Sequence, residues 1–276
     1  MFRLVLFAAT VAALLAVQSA SAAPPHRIVS LSPTATESLF AIGAGKQVVA
    51  VDDQSDYPKR APRTSLSGYT PNVEAIAGYR PDLVVLSGDA NGVVDGLRKL
   101  GIRVLLQEAA TNLAGAYAQI NQLGVITGHK KNAQALVSRM KRAIAKSVKS
   151  VPKRKLSVYH ELDPTYYSAT SKTFIGRIYK LFGLRNIADA ADSSGSGYPQ
   201  LSGEYILSAN PSLIVLADTR CCGQSAATVA NRPGWNGLSA VRNHRVVGID
   251  DSVASRWGPR IVNFVQAVGK ALRRKA

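Results

Sequence analysis

The segment "VEAIAGYRPDLVVL", Val73 to Leu86, has a counterpart 130 residues later in "GEYILSANPSLIVL", Gly203 to Leu216. In each, a Glu stands seven residues ahead of a Pro, and the Pro leads into an unbroken apolar run. Asn72 is a good N-cap for a short helix over "VEAIAGY". Pro81 ends that helix, because proline lacks an N–H and turns the residue before it away from helical backbone. The runs "DLVVL" and "SLIVL" are apolar at consecutive positions. Such runs predict strands covered on both faces, as in a parallel sheet between helices. The likeness extends backwards, since "SLFAIGAGKQVVAV" and "RIYKLFGLRNIADA" both read as helix, Gly, then an apolar segment. A chain that builds one corner twice is constrained to two similar halves.

The rest of the chain alternates accordingly. "RIVSLSP" predicts a strand opening into a loop. The next helix starts at "TATE", where Thr34 and Glu37 have capping-box spacing. "QVVAV" and "IRVLLQ" predict strands, with "VVDGLRKLG" a helix between them. Two helices follow, Leu113 to Thr127 and Lys130 to Ser150. The second places Ala133, Leu136, Val137, Met140, Ile144 and Val148 at helical period. At 1.5 Å per residue it spans about 30 Å, and it breaks at Val151-Pro152. Strands and helices then alternate again from "KLSVYHEL" to the closing "GPRIVNFVQAVGKALRR". The expected fold class is α/β, with two lobes of mainly parallel sheets flanked by helices and joined by one long rigid helix. The expected divisions are a signal peptide at 1–22, an N-terminal lobe at 23–128, a connecting helix at 129–151 and a C-terminal lobe at 152–276.

The leader reading rests on "MFRLVLFAATVAALLAVQSASA", which has one early Arg, an apolar stretch from Leu4 to Val17, and Ala20 and Ala22 in A-x-A spacing. The apolar stretch falls short of the roughly 20 residues that span a bilayer. The expected product starts at Ala23 and is exported, which in a two-membrane bacterium means the periplasm. Net charge is +17, but the bases are dispersed. The densest run, "KKNAQALVSRMKRAIAKSVKSVPKRK", reads as the solvated face of a helix and its exit. No nucleic-acid partner is expected for an exported chain. An anionic ligand, an anionic membrane surface and simple solubility all remain compatible with the charge. Cys221 and Cys222 are the only cysteines and are adjacent. A disulfide ring between neighbours, two thiols and a link to another chain are all open. The spacing is not that of a zinc site, and His26, His129, His160 and His244 are scattered, so no metal centre is expected.

Taken in order, "RIVSLSPTATESLFAIGAGKQVVAV", "SDYP", "GYTPNVEAIAGYRPDLVVL", "GEYILSANPSLIVL" and "SRWGPR" resemble the periplasmic binding proteins of ABC importers for cobalamin, haem and iron-siderophores. The resemblance implies a monomer of two α/β lobes on a single helix, with ligand in the cleft between them. It also implies that Glu74 and Glu204 dock onto Arg residues of a permease dimer in the inner membrane. Two equivalent carboxylates suit a twofold receiver, because Arg–carboxylate pairing is bidentate and directional. The plain alternative is that each Glu favours a helix start through the dipole.

Ligands of parallel sheets sit beyond the strands' C-terminal ends. The candidate contacts there are Ser32, Pro33, Gln54, Tyr57, Tyr69, Tyr166, Tyr167, Arg256 and Trp257. The aromatics offer stacking faces to a large planar ligand. Arg256 would meet a phosphate or propionate, or else pair with Asp250 or Asp251 to brace its loop. The resemblance implies a large metal-chelate ligand and no resident cofactor. A corrinoid such as cobalamin ranks first, on "SDYP" and the region before Glu74. The sequence departs from such relatives in placing Gln54 where an aromatic often precedes "SDYP". Haem ranks second, with Tyr69 available to iron, and a ferric siderophore third. No nucleophile elbow, phosphate loop or dinucleotide fingerprint is present, so an enzyme is not expected. The alternatives are an exported thiol-redox or hydrolytic enzyme, and a sensor that signals ligand rather than delivering it.

Overall fold

The computed structural model describes residues 23–152 and 155–274, so the expected leader lies outside the described residues. The first sheet contains β1 (Ile28–Leu31), β2 (Val48–Val51), β3 (Leu83–Leu86) and β4 (Arg103–Leu106). Its order is β2-β1-β3-β4, parallel throughout. The second contains β5 (Ser157–Glu161), β6 (Arg185–Asn186), β7 (Leu213–Leu216) and β8 (Val246–Gly248). Its order is β6-β5-β7-β8, again parallel. The two sheets share one permutation, so the repeat read in the sequence is a repeat of topology. The central strands β1, β3, β5 and β7 are buried at every residue. The unbroken apolar runs of β3 and β7 require this, while β1 and β5 also bury Ser30, Ser157, His160 and Glu161.

Helices α1 (Pro33–Ala41), α2 (Val73–Ala77), α3 (Val93–Lys99) and α4 (Leu113–Ile126) accompany the first sheet. Then comes α5 (Lys130–Lys149). The second sheet is followed along the chain by α6 (Phe174–Leu181), α7 (Gly203–Ala209), α8 (Ala226–Ala230), α9 (Ser239–Arg242), α10 (Asp251–Ala254) and α11 (Ile261–Leu272). The start of α1 differs from the capping-box expectation. Ser32 is the N-cap, its Oγ accepting from Ala35 N at 3.3 Å. Pro33 follows in the first turn, where its fixed φ and missing N–H suit a helix start. Glu37 is thereby released from any capping role.

The duplicated corner is built the same way twice. Asn72 Oδ1 accepts from Ala75 N at 2.7 Å to start α2, and Ser202 Oγ accepts from Tyr205 N at 3.1 Å to start α7. Glu74 and Glu204 lie in those first turns, and both are exposed. The residue ahead of each Pro is left-handed, Arg80 at φ 49° and Asn210 at φ 41°. That conformation is costly for residues other than Gly and Asn, and each is held by a local bond. Arg27 Nε donates to the Arg80 carbonyl at 3.0 Å, and Ser239 N donates to Asn210 Oδ1 at 2.7 Å.

Helix α5 joins the halves by packing on α4 and on α11. Ala133, Leu136, Val137, Met140 and Ile144 are its buried apolar residues. Gly124 of α4 lies so close to Ala133 that a side chain at 124 would collide with it. One apolar core therefore runs from Ile28 and Ile42, through Met140 and Ile144, to Phe264 and Val268. Asn210→Ala removes both the tolerated left-handed residue and the bond from Ser239. It is expected to lower unfolding free energy by about 1–3 kcal/mol in urea titrations, with Asn210→Gly recovering part of the loss.

Candidate functional site

The strand ends of both sheets open on one cavity of about 600 Å³, a volume typical of small-molecule sites. The first half contributes residues 31–34 at the β1–α1 turn, Asp52, Gln54, Asp56, Gly68 and Tyr69 from the loop after β2, and Ser87 after β3. The second half contributes Arg220 and Cys221 after β7, and Asp251, Ser252, Ser255, Arg256 and Trp257 after β8. Parallel topology gathers these loops on one edge of each sheet. A smaller hollow of about 280 Å³ continues past Trp257, between Thr111 on one side and Phe174 and Tyr198 on the other.

Ion pairs cross the cleft floor. Glu37 is almost fully buried and receives Arg256 Nη1 at 3.0 Å and Arg260 Nη2 at 2.5 Å. Arg256 also donates to Asp56 Oδ1 at 2.9 Å and to the Gln54 carbonyl at 2.9 Å. Burial works against the Asp56 carboxylate, yet Arg256, Arg220 and Arg260 hold it below the ordinary carboxylate range. Arg220 Nη1 reaches Asp56 at 3.4 Å and Asp250 at 3.2 Å. Trp257 Nε1 donates across the cleft to Gln119 Oε1 of α4 at 2.8 Å. The expectation that Arg256 braces Asp250 or Asp251 is thus corrected. Its carboxylate partners lie in the opposite half, Asp250 pairs with Arg220, and Asp251 accepts the backbone N–H groups of Arg220 and Cys221. Asp52 stands apart, with only 1% exposure and no donor on Oδ1. Burial, with the charge of Asp53, pushes its carboxyl up to about 6.

The structure brings Ser32, Pro33, Gln54, Tyr69, Arg256 and Trp257 to this cavity. Ser32 spends its hydroxyl on the α1 cap. Tyr69 is 81% exposed, an unusual state for a tyrosine. Tyr57, Tyr166 and Tyr167 do not line it. Tyr57, joined to Pro58 by a cis peptide, lies under the Arg260 guanidinium at 4.3 Å. Tyr166 stacks on Trp235 at 5.6 Å, with Arg232 over its ring. Tyr167 forms an antiparallel bridge with Gln200. In each case the ring or its backbone satisfies a partner away from the cavity. Asp52, Arg220 and Asp251 lie in the loops after strand ends that the sequence places at the cleft (52–57, 217–224 and 250–257), although the sequence does not single them out as contacts. Glu37 is not expected there, and its one signal is a carboxylate embedded in the apolar "SLFA" helix. Cys221 and Cys222 form the ring between neighbours, and Cys221 lies on the cavity wall.

Beneath that wall is a second acidic site. Glu161, at the end of β5, is wholly buried and takes both Arg232 Nη atoms at 2.6 Å. Asp218, two residues past β7, is equally buried, and neither of its oxygens has a donor among the described residues. Burial and the charge of Glu161 push the Asp218 carboxyl up to about 7. One guanidinium cannot neutralise two carboxylates, so this pair holds a proton in mildly acidic solution and gives it up as pH rises through about 7.

A family profile described as periplasmic binding protein matches residues 28–253. The chain belongs to the periplasmic binding protein family. It is 32% identical over 260 residues to "Uncharacterized ABC transporter substrate-binding lipoprotein YvrC" of Bacillus subtilis, covering 90% of this chain and 80% of that protein. It is 33% identical over 257 residues to a cobalamin-binding protein of Halobacterium salinarum, covering 90% and 69%. Among solved structures, the periplasmic heme binding protein HutB of Vibrio cholerae superposes with a TM-score of 0.79 at 25% identity, covering 90% and 98%. The chain is therefore an ABC transporter substrate-binding protein, a class that binds rather than catalyses.

The raised carboxyls of this family member give its stability a definite pH sign. Asp218 and Asp52 hold protons in the folded state that the unfolded chain releases near pH 4. Their stabilising contribution is complete below that value and is lost as pH rises through about 6 and about 7. This contribution to unfolding free energy is expected to fall between about pH 4 and about pH 7, offset in part by His160, whose burial pushes its imidazole down to about 3 and so favours folding as pH rises towards about 6.5. Asp218→Asn is expected to flatten the fall in denaturant titrations.

Proposed function

We propose that this protein captures a corrinoid, cobalamin or a close relative, in the cavity between its sheets and delivers it to the permease. The observation that carries this reading is the charge state of the cavity. Arg256 is committed to Glu37, Asp56 and the Gln54 carbonyl, and Arg220 is shared between Asp56 and Asp250. Both cations thus already face carboxylates, and Asp52 adds an unpartnered buried acceptor beside the faces of Tyr69 and Trp257. A corrinoid is a broad ring edged with carboxamides, which donate hydrogen bonds and carry no charge. Buried acceptors and stacking faces match that edge. Haem propionates and anionic ferric chelates call for unpaired cations. The cobalamin-binding relative supports the same ranking.

Haem is the second reading, favoured by one feature, the exposed Tyr69 phenol at the cavity. Parallel titrations with cyanocobalamin, hemin and a ferric siderophore, followed by tryptophan fluorescence and visible absorption, separate the readings. Cyanocobalamin is expected to saturate the protein stoichiometrically. A phenolate-to-iron absorption band with hemin, lost in Tyr69→Phe and accompanied by no cyanocobalamin binding, would overturn the corrinoid assignment.

For delivery, we assign permease docking to Glu74 and Glu204. Their support is the matched exposure and matched position in the first turns of α2 and α7. Neither lines the cavity. Joint Glu74→Arg and Glu204→Arg substitution is expected to abolish uptake in a reconstituted transport assay while ligand affinity stays within a few-fold. Uptake that survives both reversals would refute the assignment.

A further inference from the structure

The strongest charge feature of the molecule lies away from the cavity. Helix α5, "KKNAQALVSRMKRAIAKSVK", carries seven Lys or Arg residues and no acid. All seven are exposed. None forms a salt bridge among the described residues. The two helices packed against it, α4 and α11, carry no acidic residue either. Arg273, just past α11, bonds Ser150 at the end of α5 and adds a further exposed cation to the same side.

The fold does not require this. The buried face of α5 is apolar and already anchors the helix. On the outer face, Arg139 and Arg142, Arg142 and Lys146, and Lys146 and Lys149 sit three or four residues apart, where like charges destabilise a helix. Lys130 and Lys131 occupy the first turn, where the macrodipole disfavours cations. Neutral polar side chains would solvate the helix without either cost.

We infer that the outer face of α5 is an electrostatic contact for the anionic headgroups of a phospholipid bilayer. A straight helix about 30 Å long is a ridge, and a plane of headgroups can meet a ridge along its whole length. Single-stranded nucleic acid fits less well, because α5 carries no aromatic side chain on which bases could stack, and duplex nucleic acid is separated by the test below. No apolar side chain needs to insert, so the contact is salt-reversible and lets the protein slide. The stripe shares no residue with the cavity, α2 or α7. Membrane contact therefore gathers the protein near its permease without occupying the ligand site.

The test is co-sedimentation of the chain beginning at Ala23 with vesicles of phosphatidylcholine alone and of phosphatidylcholine with phosphatidylglycerol. Binding is expected to the mixed vesicles only. It should disappear as ionic strength rises from about 0.01 M to about 1 M, where the Debye length shrinks from about 30 Å to about 3 Å. Each headgroup-facing cation contributes about fivefold in affinity. Joint replacement of Lys131, Arg139, Arg142 and Lys146 by Gln should therefore weaken binding more than tenfold. The matched replacement of Lys59, Lys99, Arg185 and Arg242, which removes equal charge elsewhere, should change it by less than threefold. An unaltered thermal transition shows that both variants fold. Equal losses in the two variants would assign binding to net charge and overturn the inference, as would equal binding to neutral vesicles or none to the mixed ones. Tighter, stripe-dependent binding to duplex DNA than to mixed vesicles would overturn it in favour of a nucleic-acid surface.

Discussion

A single buried carboxylate sets the geometry of the ligand cleft. Glu37 belongs to α1 of the first half, and its two partners, Arg256 and Arg260, come from the last segment of the second half. Burying a charge this deeply is tolerable only when every partner is in place. The middle of α1 and the start of α11 are therefore locked face to face. The apolar seam along α5 is a second tether, made of contacts with α4 and α11 rather than of ion pairs. Two tethers at different points leave little freedom for the halves to swing. The cavity is consequently a preformed space, and a ligand entering it meets a wall already built.

The same lock decides the chemistry of that wall. Because Glu37 and Asp56 consume Arg256, and Asp56 and Asp250 share Arg220, the cleft cations serve structure before they serve a ligand. Asp251 is likewise spent on the backbone of Arg220 and Cys221, holding the disulfide turn against the cavity. Asp52 is the exception, a buried acceptor with an unfilled valence. The cleft of a protein with a net charge of +17 is thus slightly acidic, with Glu37, Asp52, Asp56, Asp250 and Asp251 set against Arg220, Arg256 and Arg260.

The fold was legible in the sequence because its signals are local. Unbroken apolar runs after Pro81 and Pro211 became buried parallel strands, and the period of α5 marked its buried face. The lost strand was β6, two residues whose strand state comes only from pairing with β5. The cleft was half legible. Tyr69, Arg256 and Trp257, read as following strand ends, lie on the cavity wall. Tyr57, Tyr166 and Tyr167 do not, and the rings of the first two meet a nearby cation or ring instead, here Arg260 and Trp235. The partnership of Glu37 with Arg256 joins residues 219 positions apart, and no local pattern encodes it.

Charge is sorted by face. The cleft pairs its bases with a small excess of acids, the exposed acids of α2 and α7 mark the two corners, and α5 carries bases without salt-bridge partners among the described residues along its outer side. Screening gives these faces different reach. At physiological ionic strength the Debye length is about 8 Å, so isolated carboxylates such as Glu74 and Glu204 act only at contact. A line of seven cations sums its field and reaches farther toward an extended anionic surface. On this reading approach to the membrane and recognition of the permease use opposite charges on separate faces. The corner acids need to discriminate only among partners already close at hand, a task for which two short-range, directional pairs are sufficient.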